Sequence, residues 1–463
     1  MPQSTTALDT LFSPHASLAA IAAQLQARGI FDTVRQGIHI VQKTVKDSPQ
    51  DKLLDILLTL LCGAHSLVQI NTLLRSDPAL QRSLGRERCC EQSVAQQTLD
   101  AATAATVEQM QQVLTTLFRQ HSQAAAHTSR DGWLILDVDL TGVPCGKKAE
   151  KSTKGYFGQH RSRRGRQQGR VLASQYGEIV VDDLYPGNTI LLGVLPSLIQ
   201  KAEQVLNLIP WKRKHTIIRI DAGGGTIDSI TSLLSQGYAV VTKEYSAGRA
   251  SRLVKSVTEW IDDPDQPGRQ VGWVREESLE YARPVRRLAV RCKSSKGQWH
   301  AAVLLFAGLD HKDILTLMGE PLCADEATIM RAYAHFYDQR GGGVETSFGE
   351  DKGGLGITKR NKKRFDAGRL LMLLGTLAHN VLVWSRRWLC RRSDPKLAGR
   401  LRHYGMRRMV RDLYSISGFL SFDRKGRLHV IALASSSSLA KLMLVPLQKL
   451  LALSHIAVIL DQT

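Results

Sequence analysis

The stretch WLILDVDLTG, Trp133–Gly142, constrains this chain more than any other. Leu134, Leu136, Val138 and Leu140 fall on one face of a period-two pattern, and Ile135, Asp137 and Asp139 on the other. That period belongs to a strand whose successive side chains point to opposite faces. A carboxylate on an apolar strand is costly unless it is paired or holds a metal. The strand must therefore be built around a partner for at least one of its aspartates.

The segments after this strand set the fold class. GRVLASQYGEIVVDDLYPGNT reads as a hairpin turning at Tyr176-Gly177, and LLGVLPSLIQKAEQVLNLI as a helix. HTIIRID is a short strand, and SITSLLSQGYAVVTKEY supplies helix, glycine turn and strand. Strands alternating with helices predict an α/β domain with a mixed sheet. The pattern divides the chain into five regions. Residues 1–128 read as an all-α N-terminal domain, either a helix-turn-helix-like DNA binder or a plain helical bundle, 129–245 as the first part of the α/β domain, and 246–324 as a β-rich insertion. Residues 325–392 read as the second part of the α/β domain, and 393–463 as a small C-terminal α+β region.

Charge points to the partner. Lys and Arg number 62 against 42 Asp and Glu in 463 residues, a net charge of +20, which favours a polyanion. The apolar segments are interrupted by Asp55 and His65, and by Arg369 and His379, so neither reads as a membrane span. The N-terminal residues lack the basic-then-apolar order of a signal peptide. Seven scattered cysteines with no C-x-x-C spacing fit a reducing cytoplasm rather than a disulfide framework. Nucleic acid is the expected partner, and the cytoplasm the expected compartment.

Asp221 ends the second apolar strand in IIRIDAGGGTIDSI. It has three readings: a nucleotide-phosphate loop, a metal ligand, or a residue capping the next helix. Two strand-borne carboxylates on one sheet can converge on Mg²⁺, and two such ions roughly 4 Å apart suit phosphodiester chemistry. A third carboxylate, Glu345, precedes Lys352 by seven residues, two helical turns, so both share a helix face. Val344 and Phe348 form an adjacent apolar stripe. A solvated charged helix has the same spacing.

Taken together, Asp139-x-Thr141, the Asp221 that ends RID, and Tyr337-x-x-Arg340…Glu345-x6-Lys352 resemble the DDE transposases of bacterial insertion sequences, in the group with a Y-x-x-R-x-x-x-E-x6-K signature. The resemblance spans roughly residues 130–390. It implies a ribonuclease-H-like fold with Asp139, Asp221 and Glu345 as catalytic metal ligands. It also implies two Mg²⁺ ions, with Mn²⁺ as a substitute, and no nucleotide cofactor. The implied activity is cut-and-paste transposition, in which water cuts at terminal inverted repeats and the freed 3′-hydroxyl attacks target DNA. The implied assembly is a homodimer on double-stranded DNA at the bacterial nucleoid, away from membranes. Asp137, and less so Asp182 and Asp183, compete with Asp139 as the first ligand. The family places three residues between Arg and Glu; here Gly341, Gly342, Gly343 and Val344 make four, and glycine can absorb the extra residue as a bulge. In related enzymes the insertion supports a hairpin intermediate and an aromatic residue stacks on a flipped base. Trp260, Trp273 and Trp299 are candidates here, against the plainer reading of core residues.

Basic clusters border these motifs. The segment from Lys147 to Arg170 contains nine Lys or Arg and one Glu, enough to bind phosphate in a salt-dependent way. Lys147, Lys148, Arg161, Arg163, Arg164 and Arg166 are candidate DNA contacts. Lys359, Arg360, Lys362 and Lys363 form a second group beside Tyr337, Arg340 and Lys352, and a basic tract runs from Arg386 to Arg411. Two rival readings remain. One is an inactive or domesticated transposase that only binds DNA. The other is an actin-like ATPase, because IDAGGGTID fits a D-x-G-G-G-T phosphate loop.

Overall fold

The computed structural model describes residues 9–42, 46–155, 157, 163–276, 280–281, 283–356 and 361–461. Fourteen strands run through them in chain order. They are β1 (Asp9–Ser13), β2 (Leu134–Pro144), β3 (Thr153–Lys154), β4 (Arg164–Ala173), β5 (Glu178–Pro186), β6 (Thr216–Ile220) and β7 (Ala239–Lys243), followed by β8 (Ile261–Asp262), β9 (Arg269–Trp273), β10 (Val285–Lys293), β11 (Trp299–Ala307), β12 (Gly418–Phe422), β13 (Leu428–Leu433) and β14 (Ala457–Leu460).

The strand WLILDVDLTG is β2, and it lies in the middle of a ten-stranded sheet. Five strands around it run in the order β5-β4-β2-β6-β7. The first three form an antiparallel meander, and β6 and β7 then add in parallel. The parallel steps need crossover helices, Leu191–Leu206 and Ile227–Ser235, as the helical periods predict.

The alternation of β2 separates two cores. Leu134, Leu136 and Val138 join Leu195, Leu198 and the helices of the N-terminal region on one face. Ile135 joins Ile217, Val241, Phe306 and the helix Glu326–Arg340 on the other. Asp137 and Asp139 share that second face, beneath the segment carrying the Tyr337–Lys352 motif.

One expectation needs correction. The N-terminal region is not all helix: β1 pairs antiparallel with β12, which joins β13 and β14 in a four-stranded C-terminal sheet. Its helices, including Ala16–Ala27, Pro49–Leu61 and Ala104–His121, share one continuous core with the long helix Phe365–Cys390. DTLFS is too short to show a period of its own, and its partner lies some four hundred residues away. The β-rich texture expected between residues 246 and 324 is present as β8 to β11. β11 pairs antiparallel with β7, and β10, β9 and β8 continue the central sheet outward. The helix Phe365–Cys390 is long and apolar enough to cross a membrane, but 89% of its most apolar window is buried inside the protein. Here it acts as a core helix.

Candidate active site

Asp137 and Asp139 stand on the same face of β2, yet their surroundings differ. Arg219 on β6 lies opposite Asp137 in the strand register. Its Nε and Nη2 donate to Asp137 Oδ1 and Oδ2 at 2.6 and 2.9 Å, and Nη1 donates to the Phe336 carbonyl at 2.9 Å. Both side chains are buried, so both Asp137 oxygens are engaged in a structural fork. Asp139, two residues farther along, lies just past the last β2–β6 pair, Val138 with Ile220, and its side chain is 19% exposed. Its Oδ1 accepts from the Leu140 amide at 2.7 Å, and its Oδ2 faces Arg340.

Asp221 follows β6, and half of its side chain is exposed. Its glycines make a close turn. Gly225 packs on β7, where a Cβ would come within 2.6 Å of Thr242 Oγ1, while Gly223 faces open space. Thr226 caps the helix Ile227–Ser235, and Asp228 lies in its first turn.

Glu345 arrives on a long helix with an irregular middle. The segment Glu326–Arg340 is α-helical, Gly341–Glu345 is a π-helical turn, and Thr346–Gly354 is α-helical again. This turn absorbs the extra residue between Arg340 and Glu345. In an α-helix, residues five apart point about 140° away from each other. A π turn bonds i to i+5 and brings them to one side. Gly343 allows the turn to lie on the sheet: a Cβ there would overlap Asp137 Oδ2. Val344 and Phe348 pack on Leu172 and Ile179, as the apolar stripe predicts.

The three carboxylates meet at Arg340. This side chain is buried, and its Nη1 lies 3.4 Å from Asp139 Oδ2 and 3.2 Å from Glu345 Oε1. Nη2 lies 3.6 Å from Asp221 Oδ1. Burial raises the Asp139 carboxyl to about 6. Arg340 and the Leu140 amide pull it down, while Asp221 and Glu345 push it further up. Burial works against the Arg340 charge, but Asp139, Tyr337 and Asp221 outweigh it and hold the guanidinium above its ordinary range. Tyr337 is buried beside Arg340, its hydroxyl pushed up to about 12 by burial first, and the Lys243 ammonium sits 5.2 Å from its ring centre. Lys352 Nζ donates to Thr141 Oγ1 at 2.6 Å, joining the two ends of the motif across β2. Burial, with Arg170 nearby, lowers its ammonium, and Asp139 pulls it back up.

A buried network that sequence reasoning missed anchors this helix. Asp351 Oδ2 lies 2.7 Å from Arg170 Nη2, and Asp351 Oδ1 is 2.7 Å from His379 Nδ1. Arg170 also forks onto Asp182, which accepts from Thr376. Asp182 thus serves the interior, and Asp183 pairs with Lys201 and Arg369. The available signal was Arg170 itself, a charged residue immediately before the apolar Val171, Leu172 and Ala173 of a strand.

The basic residues separate into two kinds. Lys147, Lys148, Arg163 and Lys363 are exposed, and Arg164 is half-buried, donating to the Ser152 carbonyl at 3.1 Å. Arg166 is buried and donates to the carbonyls of Glu150, Lys362 and Lys363, stitching the two basic loops together. Lys362 is also buried, with Nζ 2.6 Å from Gln96 Oε1. These two side chains point inward, contrary to their expected DNA-facing role. Chain-local charge density does not show which cation must fasten the loops. Arg161, Lys359 and Arg360 lie outside the described residues.

Trp273 packs edge-on against Tyr333 at 5.1 Å and donates to Glu326, so it belongs to the second core. Trp260 and Trp299 instead clasp the Arg291 guanidinium, at 4.0 and 4.6 Å, and Trp299 remains 42% exposed.

Among the described residues, one group of three metal-capable side chains has ligand atoms within 4.8 Å of one another: Asp263, Asp265 and His335. Asp263 is already engaged there by Arg269 Nε at 2.7 Å and His335 at 2.9 Å, and Asp265 is exposed. The Asp139–Asp221–Glu345 trio does not close to that separation, with Arg340 wedged among its oxygens.

Residues 12–404 match the family model described as transposase DDE domain group 1. The chain belongs to that family. No curated protein matches the sequence. A cryo-electron microscopy structure of the piggyBac transposase synaptic complex with hairpin DNA aligns with this DDE-family chain at 12% identity and a TM-score of 0.47, covering 87% of this chain and 80% of that one.

Proposed function

We propose that this DDE-family chain is an active cut-and-paste DNA transposase of a bacterial insertion sequence, with Asp139, Asp221 and Glu345 as its catalytic carboxylates. One observation carries the reading. Residues from the middle of one strand, the end of the next and a helix more than a hundred residues later gather around a single guanidinium. The strand order β5-β4-β2-β6-β7, antiparallel then parallel, supports a ribonuclease-H-like catalytic unit.

The donor set suits hard divalent cations: three carboxylates, two of them at least half exposed, beside a charge-dense cluster. Asp139, Asp221 and Glu345 would hold Mg²⁺ or Mn²⁺. Such ions supply activation of an attacking oxygen and stabilisation of a leaving one. The chain's own side chains supply the rest. Lys352 and Thr141 fix the helix over β2, and Lys147, Lys148, Arg163 and Lys363 offer phosphate contacts near the end of that strand. Of the three candidate tryptophans, Trp299 is the exposed one and is available for stacking on a base. The reading places the protein at bacterial DNA in the cytoplasm, acting as a homodimer on transposon ends. The test is Mg²⁺-dependent cleavage of duplexes carrying the element's terminal inverted repeats. Wild type cuts them and Asp221→Ala does not; equal cutting overturns the assignment.

A further inference from the structure

The position of Arg340 has a consequence beyond charge neutralisation. Asp139 has two oxygens, and Oδ1 is committed to the Leu140 amide at 2.7 Å. Oδ2 has more of its lone-pair capacity open to a metal, and it is the oxygen facing Arg340 Nη1 at 3.4 Å. The same nitrogen contacts Glu345 Oε1 at 3.2 Å, and Nη2 faces Asp221 Oδ1. One rigid fork therefore touches an oxygen from each of the three carboxylates. A divalent cation needs each oxygen it binds at about 2.0–2.1 Å, and the guanidinium fills the space beside those oxygens.

We infer that Arg340 and divalent cations compete for the same carboxylate oxygens, and that DNA opens the site by drawing the guanidinium onto a phosphate. The inference rests on the DDE reading above. Arginine is suited to such an exchange because its planar fork matches phosphate as well as carboxylate geometry. A guanidinium stays charged with either partner. The backbone can accommodate a change of partner: Arg340 borders the π turn, and Gly341 and Gly342 have almost nothing within 4 Å of a Cβ position. Thermodynamic reciprocity then requires the coupling to run both ways. A phosphate that removes Arg340 tightens metal binding, and a metal that displaces Arg340 tightens DNA binding by the same factor. The site thereby disfavours metal loading until DNA is present.

The experiment is a Mn²⁺ titration of the full-length protein, read by calorimetry and by the Mn²⁺ paramagnetic resonance signal, with and without a random-sequence DNA duplex. Without DNA, Arg340→Gln is expected to bind Mn²⁺ at least tenfold more tightly than wild type. Adding DNA should tighten wild type at least tenfold and Arg340→Gln less than threefold. Arg340→Lys keeps the charge but loses the fork, and should fall between the two; it decides the matter if thermal melting shows Arg340→Gln to be unfolded. Equal or weaker Mn²⁺ binding in the folded variant, or DNA coupling undiminished by it, overturns the inference. Asp139→Asn and Glu345→Gln in the same titration test the underlying reading separately. If they leave Mn²⁺ binding intact, the DDE site itself is wrong; if they abolish it while Arg340→Gln changes nothing, only the competition fails.

Discussion

Gly343 lies directly over Asp137, so that a Cβ built on this glycine would overlap the carboxylate oxygen that Arg219 holds at 2.9 Å. Asp137 cannot swing aside, because both of its oxygens are fixed in a buried fork. Gly343→Ala should therefore destabilise the protein by about 1–3 kcal/mol through overpacking and lower cutting by lifting Glu345 from the sheet. Gly342→Ala, which meets open space, should leave both unchanged or add up to about 1 kcal/mol of helix propensity. Denaturant midpoints and cleavage rates of the pair check this; equal effects would contradict it.

The two aspartates of β2 should separate by phenotype. Asp137→Asn leaves Arg219 buried with half its partner and should cost about 3–5 kcal/mol, as breaking a buried ion pair does. Asp139→Asn should keep or raise the melting temperature at pH 7 while abolishing cleavage. Melting curves and cleavage assays on both variants provide the comparison, and a reversed pattern would exchange their roles.

Asp139 also sets a pH dependence. Burial raises its folded carboxyl to about 6, above its ordinary value near 4. Folding therefore takes up a proton in that window. The contribution of this group to stability is fully present below about pH 4 and is lost as pH rises through about 6, by up to roughly 2–3 kcal/mol. The melting-temperature advantage of Asp139→Asn over wild type should grow between pH 4 and 6.5. An advantage that is flat or shrinks contradicts the raised carboxyl.

Much of the site was legible in the chain because it depends on local period. The alternation in WLILDVDLTG correctly placed Asp137 and Asp139 on one face, and the glycines before Glu345 correctly signalled an absorbed extra residue. The choice between the two aspartates was not legible locally, since it depends on Arg219 standing opposite Asp137 on a strand eighty residues away. The same limit hid β1, whose partner is β12, and the inward turn of Arg166 and Lys362. Each depends on neighbours distant in sequence, whereas hydropathy and charge patterns report only on adjacent residues.

The basic loops give a test in two parts. Lys147→Ala with Lys148→Ala should weaken DNA binding for all sequences alike and flatten the salt dependence, by about 0.9 in log–log slope for each phosphate no longer neutralised. Arg166→Ala should instead lower thermal stability, because it unfastens the carbonyls of Glu150, Lys362 and Lys363. Binding isotherms at several salt concentrations, set beside melting curves, separate the two effects. A salt slope unchanged in the double variant would remove these lysines from the DNA surface.

The proposed metal site of Asp139, Asp221 and Glu345 can be mapped directly. Fe²⁺ bound in place of Mg²⁺, with ascorbate and peroxide, generates radicals that cut the polypeptide beside its ligands. In the presence of DNA, backbone cuts are expected near Asp139, after β6 at Asp221, and within Gly341–Glu345, all suppressed by excess Mg²⁺ and by Asp139→Asn. Cuts confined to Asp263, Asp265 and His335 would contradict that site.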